Sequence, residues 1–306
     1  MLMKESKTIL AVGSIAIDTL QTPNGNRSNI LGGSATYFSL AAGLFAPIKL
    51  VGVVGNDYPE EGWHIFRSRQ INMENVQIVD GKTFRWCGKY NHDYSTRKTI
   101  FTKLGVFESF SPKIHDEDCQ SPLIFLGNIQ PDLQLDVAKL VESPEFLVSD
   151  TMNLWIDTCK EKLMEVLAIS NIFLLNHEEA LQLTGEENLP AAANILRAMG
   201  PDVVIIKRGS DGAFLSFGEQ AFYFPVFPIK NVIDPTGAGD SFAGGFMGYL
   251  AQSDKSDFIE AVLFGSAMAS FCVEDFGPTS LLKVTRTDLD KRIAIIKSRM
   301  FAAEGV

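Results

Sequence analysis

A chain of 306 residues, 46% of them hydrophobic, can bury a sizeable α/β core as one large domain or two smaller ones. Its formal net charge of −10 argues against a nucleic-acid partner and against an anionic membrane surface, but not against an anionic small molecule held by local backbone amides. Four scattered cysteines (Cys87, Cys119, Cys159, Cys272), a polar opening over residues 1–7 and no run approaching the roughly 18 apolar residues of a membrane span exclude a disulfide framework and point to a reducing cytoplasm.

In chain order, residues 8–12 (TILAV) are a short apolar run that ends at Gly13 and reads as a buried strand. Asp18 follows just past its C-terminal end, where open α/β sheets bind ligands. Residues 22–29, with Pro23 and Asn24-Gly25, look like a hairpin tip. Leu31-Gly32-Gly33-Ser34 leads into an Ala-rich helix at about 35–45. A second strand covers 49–54, and an amphipathic helix with Trp63, Ile65 and Phe66 covers 57–69. Such βαβ alternation builds a parallel sheet with helices on its faces. Residues 77–104 interrupt it. Two runs of period 2, at 82–90 and 98–104, flank the polar Asn91-His92-Asp93 and read as antiparallel strands. The alternation then resumes: a strand at 122–126 ending in Gly127-Asn128, a helix at 132–141, and a strand at 146–149 with Asp150-Thr151-Met152-Asn153 at its C-terminal end. The strand at 172–175 runs into Asn176-His177-Glu178-Glu179, ordinary chemistry for a helix cap and first turn. A helix at 189–199 and strands at 203–206, 213–217 and 221–226 follow, with Lys207-Arg208-Gly209-Ser210-Asp211-Gly212 as a turn. Helices at 257–271 and 286–302 close the chain around a loop at 275–280.

The stretch that organises the rest is 234–247, DPTGAGDSFAGGFM. Asp234-Pro235 starts a turn, and Gly237 and Gly239 allow close approach of a ligand to the backbone. From Asp240 the spacing of Phe242, Phe246, Tyr249 and Leu250 is helical. A glycine-rich turn feeding a helix presents free N–H groups at the positive end of the helix dipole, an anion site. A carboxylate at its mouth repels a phosphate unless it has a task, and the task that fits is taking a proton from an attacking hydroxyl. The alternative is a plain helix start with an Asp cap and small residues for packing.

The full run resembles the C-terminal signature of the PfkB (ribokinase-like) family of carbohydrate and nucleoside kinases. The resemblance extends in order from Asp18 to about Ser280. It implies one kinase domain over 1–306, a three-layer α/β/α ribokinase-like sandwich, with a β-sheet lid inserted at about 19–31 and 82–104. It implies ATP as phosphoryl donor and Asp240 as base, with the amides of Gly237, Ala238, Gly239 and Asp240 holding the transferred group. It places Asp18, Gly32 and Gly33 on the acceptor, Asn128 nearby, and Asn176 and Glu179 on Mg2+. Lys207, Gly209 and Gly212 would lie along the nucleotide phosphates together with Asn176. Asp234, Thr236 and the 275–280 loop would surround a monovalent cation, K+. Where the family has Asn four residues after the second Gly, this chain has Tyr37, which puts the identity of the acceptor in question. Arg85, Lys89 and Arg97 among the lid aromatics suit a polar acceptor, so a sugar is expected ahead of a nucleoside. A non-catalytic binding protein on this fold is the rival of another class, and a homodimer through the lid is a further expectation.

Overall fold

The structure is a computed structural model that describes residues 6–94, 96–253 and 256–303; most of the polar 1–7 segment lies outside it. Its strands in chain order are β1 (Ile9–Val12), β2 (Ala16–Thr22), β3 (Gly25–Gly32), β4 (Ile48–Gly55), β5 (Val76–Val79), β6 (Phe84–Tyr90) and β7 (Arg97–Lys103). The second half contributes β8 (Leu123–Leu126), β9 (Phe146–Asp150), β10 (Ile172–Asn176), β11 (Val203–Lys207), β12 (Ala213–Phe217) and β13 (Gln220–Phe224).

Nine of these form one sheet in the order β13-β12-β11-β10-β9-β8-β1-β4-β5. From β11 to β5 all pairs are parallel, and β12 and β13 add an antiparallel edge. The central strands are continuous apolar runs because both faces of the sheet are covered. In β1, Ile9 and Ala11 join the core on one face, and Leu10 and Val12 join the core on the other. That alternation is the side-chain period of a strand. The first core packs under the helices Ser34–Ala42, Ala238–Gln252 and Phe258–Cys272. The opposite face is covered by helices that include Lys160–Ile169 and Leu189–Ala198. Helices therefore flank the sheet on both sides, as a three-layer α/β/α sandwich requires. Small residues in the Ala238–Gln252 helix serve this packing: a Cβ on Gly244 would sit 2.6 Å from Phe38 O, and one on Gly245 would sit 2.7 Å from Phe264 O.

The second sheet has the order β3-β2-β6-β7. Strands β2 and β3 pair antiparallel around Pro23 and Asn24, so the expected hairpin tip is only a two-residue turn between longer strands. β2 pairs parallel with β6, and β6 pairs antiparallel with β7. β2 leaves β1 after three residues, which sets this sheet beside the C-terminal end of β1.

Several boundaries differ from the sequence expectation. The helix expected from Asp57 starts at Glu60, because the Asp57 carboxylate accepts from Thr83 N at 2.7 Å and pairs with Arg85 at 3.0 Å instead of joining the helix. The helix His177–Thr184 follows the expected Asn176 cap, whereas the edge strand β5 and the helix Lys160–Ile169 have no counterpart in the sequence expectation; β5 is half exposed and shows no clean alternation.

Candidate active site

The Ala238–Gln252 helix starts from Gly237, which has a left-handed φ of 76°. A Cβ on Gly237 would lie 2.3 Å from carbons of the Tyr37 ring, so only glycine lets the turn rest on that ring. No side chain caps this helix; Ala238 N donates to Pro235 O at 3.2 Å, which leaves the amides of Gly237 and Gly239 for an anion. The half-buried Asp240 stands in that turn. Burial and the charge of Asp150 push its carboxyl up to about 7, against the pull of Lys207 and Arg97.

Lys207 comes from the C-terminal end of β11 and Asp150 from the end of β9, and their Nζ and Oδ2 lie 2.7 Å apart. Gly239 brings the turn to this ammonium: a Cβ there would be 3.2 Å from Lys207 Nζ. Burial works against the lysine charge, but Asp150 and Glu179 outweigh it and hold Lys207 above its usual range. Asp150 Oδ1 accepts from Thr151 N at 2.9 Å, which fixes the carboxylate. Asn176 ends β10 and forms a reciprocal capping box with Glu179: Glu179 N donates to Asn176 Oδ1 at 2.9 Å and Asn176 N donates to Glu179 Oε2 at 2.7 Å. Burial lifts the Glu179 carboxyl to about 7, with Lys207 opposing.

Across the turn lies Asp18, on β2 and 4% exposed. Burial, then Asp234 and Asp240, push it to about 8. Gly32 is needed beside it, since a Cβ there would fall 2.0 Å from Asp18 Oδ2. Two buried oxygens, Asp18 Oδ1 and the Tyr37 hydroxyl, have no hydrogen-bond partner among the described residues. Orphaned buried oxygens carry a desolvation cost, and a ligand bearing hydroxyls would satisfy both.

The strands therefore deliver an uncapped helix N-terminus, a paired lysine and a row of raised carboxyls to one edge of the large sheet. Residues 7–285 match the family described as pfkB family carbohydrate kinase. The chain belongs to this family. It is a PfkB carbohydrate/nucleoside kinase, a phosphotransferase with an alcohol group as acceptor. A cytidine kinase of Thermococcus kodakarensis is 33% identical over 282 residues, covering 89% of this chain and 98% of that protein. The crystal structure of the nucleoside kinase of Methanocaldococcus jannaschii superposes with a TM-score of 0.78 at 21% identity, covering 95% of this chain and 100% of that one. A putative ribokinase II of E. coli in complex with ATP and Mg2+ gives 0.79 at 17% identity, covering 96% and 99%. These two likenesses establish the ribokinase-like fold.

The other expected residues of the kinase are distributed as follows. Asp234 is 1% exposed; its Oδ1 accepts from Thr236 N at 3.0 Å and its Oδ2 from Gly277 N at 3.4 Å, so the turn and the 275–280 loop meet on one carboxylate. Gly33, with φ 94°, caps the Ser34–Ala42 helix, and its missing Cβ leaves room for Ser14 O. Gly209 has open space where a Cβ would be, but at Gly212 that space is taken by Phe224 O at 1.8 Å, so Gly212 answers to the chain's own backbone. Asn128 spends its carbonyl on Trp155 Nε1 at 3.0 Å. Tyr37 is 1% exposed and lies under the turn rather than on an open surface. The sequence sets Arg97 and the lid aromatics, Tyr90 among them, over the acceptor, but does not point either residue at the phosphoryl turn. They are register partners across β6 and β7, and the Tyr90 hydroxyl lies 2.9 Å from Thr236 Oγ1. The alternation of β6 set out a face, but only pairing with β7 shows which residues it brings to the turn. No helix among the described residues is long and apolar enough to cross a membrane.

Proposed function

We propose that this kinase transfers the γ-phosphoryl group of ATP to the hydroxymethyl group of a nucleoside, with a pyrimidine nucleoside such as cytidine as the first candidate. The observation that carries the reading is the pair of buried oxygens on Asp18 and Tyr37 that have no partner among the described residues, both in the field of Asp234, with Asp18 also in that of Asp240, beside the uncapped turn. Asp18 and Tyr37 hold acceptor hydroxyls, with Gly32 and Gly33 bringing the backbone close. Asp240 takes the proton of the attacking hydroxyl; a carboxyl near 7 is suited to that task at neutral pH. The amides of Gly237, Gly239 and Asp240 stabilise charge on the transferred group, while Ala238 N holds the turn on Pro235 O. Lys207 and Gly209 lie along the phosphates, and Gly212 shapes their turn.

Mg2+ bound to ATP supplies charge neutralisation between the phosphate oxygens. Among the described residues no group of three His, Cys, Asp or Glu is placed to cage a metal. Hard carboxylate and amide oxygens at Asn176 and Glu179 fit the water shell of such an ion. Asp234, with Thr236 and the Gly277 loop, fits a monovalent cation; K+ should raise the rate over Na+ at equal ionic strength, and identical rates would remove that site. The outer strand β7 exposes Ile100 and Phe101, with Leu104 just beyond, and we read the kinase as a homodimer through this sheet, testable by sedimentation.

The sequence reading favoured a sugar. The full-length kinship with a cytidine kinase supports a nucleoside instead. The deciding measurement is kcat/KM for ribose, fructose, a hexonate, adenosine, inosine and cytidine at fixed ATP. A nucleoside should beat every sugar by more than about tenfold, roughly 1.4 kcal/mol in transition-state binding. A sugar that matched the best nucleoside would return the reading to carbohydrates.

A further inference from the structure

Residues paired on neighbouring strands point to the same face of a sheet. On the small sheet Asp18 pairs with Ile30 of β3 and with Trp86 of β6, and Leu20, Gly88 and Tyr90 follow on that face at steps of two. The face is turned to the body of the kinase: Leu20 is fully buried, and the Tyr90 hydroxyl lies 2.9 Å from Thr236 Oγ1. The half-buried Trp86 therefore borders the acceptor beside Asp18. Neighbouring strands are about 4.8 Å apart, comparable to the width of a five-membered sugar ring. An acceptor held by its hydroxyls on Asp18 thus carries its remaining substituent toward β3 or toward β6. The β3 side is filled by the chain itself: a Cβ on Gly277 would be 2.4 Å from Ile30 Cγ2, and the Arg27 guanidinium lies 4.6 Å from the centre of the Phe276 ring. The β6 side presents the indole. Trp86 lies over Gly88, where a Cβ would fall 2.0 Å from its Cη2, and its Nε1 donates to Thr99 Oγ1 at 3.2 Å, which fixes the ring. The exposed Arg97 sets its guanidinium 5.2 Å from the indole centroid, so a flat, delocalised group already lies over the ring.

We propose that Trp86 is the specificity-determining residue for the acceptor's base: its indole takes the planar heterocycle of a nucleoside whose ribose is held at Asp18, and Arg97 yields its place on the ring. The proposal deepens the nucleoside reading and rests on it. Stacking on an indole draws on the flat face that every nucleobase has, so Trp86 rewards the presence of a base more than its identity. A bare sugar held on Asp18 ends before the indole and gains nothing from it. Gly88 belongs to the same device, because any side chain there would push the ring out of place.

Calorimetric titration of the full chain with cytidine and with ribose, beside kcat/KM for both at fixed ATP, separates the base from the sugar. The wild type should bind cytidine at least about fivefold tighter than ribose. Trp86→Leu should weaken cytidine binding about fivefold or more and lower its kcat/KM by a similar factor, while the values for ribose move less than about twofold. Trp86→Phe keeps an aromatic face and should recover most of that loss. Gly88→Ala keeps the indole but displaces it, and should lose the gain for cytidine alone in the same way. Equal losses for cytidine and ribose in these variants would overturn the proposal, because they mark damage to the sheet. Cytidine affinity that ignores both Trp86→Leu and Gly88→Ala would overturn it too, as would a wild type that binds cytidine no better than ribose. Cytidine bound through Trp86 by a protein that turns over a sugar faster than any nucleoside would support the indole's role and sink the nucleoside reading; faster nucleoside turnover indifferent to Trp86→Leu would do the opposite.

Discussion

Replacing Asp240 by Asn should move activity and stability in opposite directions. The folded protein holds this carboxyl at about 7, against an ordinary value of 3.8. Between those two pH values the folded state binds a proton that the unfolded state has released. Stability from this group is therefore lost as pH rises from about 4 to about 7, and above 7 the full cost of ionising it in place is present. Three pH units correspond to about 4 kcal/mol. Asp240 is only half buried and its field is shared with Asp150 and Lys207, so about 2 kcal/mol is the reasonable discounted figure. For a chain of this length that is about 3 °C in Tm. Asn carries no such charge. Without nucleotide, the variant should melt about 3 °C above wild type at pH 8, and the gap should narrow steadily as pH falls below 7 and close near pH 4. Its kcat should drop about 10²–10⁴-fold, the usual cost of losing a general base. Thermal denaturation across pH 5.5–8.5 beside a steady-state assay tests both halves. A variant no more stable than wild type at pH 8, or a gap that ignores pH, would refute the electrostatic reasoning; near-normal turnover would remove Asp240 as base.

Three other outcomes follow from the same geometry. The wild-type kcat/KM should rise with pH through an acid limb near pH 7 to which Asp240 contributes, and that limb should become shallower in Asp240→Asn; an unchanged limb would remove Asp240 from the profile. Tyr37→Phe deletes a buried hydroxyl without a partner, so the ligand-free protein should gain about 1 kcal/mol in urea denaturation while kcat/KM for the acceptor falls about fivefold; a loss of stability would mean the hydroxyl is satisfied in solution. Lys207→Met strands Asp150, which is 3% exposed, and should cost about 3–5 kcal/mol of stability and raise the KM for ATP; a loss below about 1 kcal/mol would mean that water reaches the pair.

Much of the fold was legible because local patterns and tertiary demands agree. The apolar runs of β1, β8, β10 and β11 are buried on both faces, and a strand of that kind announces itself by composition. The 234–247 run was legible because a left-handed glycine, an uncapped helix start and an acidic residue form one contiguous device. Edge strand β5 was not legible, since a half-exposed strand has no need of a clean pattern.

Tertiary structure decided whatever depends on residues far apart in sequence. Lys207 reads as a phosphate-seeking charge, yet it lies against Asp150, 57 residues away, because parallel β9 and β11 both end at the same edge of the sheet. Gly212 reads as room for a ligand, yet Phe224 O fills that room. Tyr37 stands where a sugar-contacting Asn was expected, and only packing shows its ring under Gly237, 200 residues on. Residue types fixed which chemistry was available. Distances between strand ends fixed which groups share a field, and so which carboxyls stay protonated near neutral pH, because a pKa depends on burial and neighbours that no local pattern encodes.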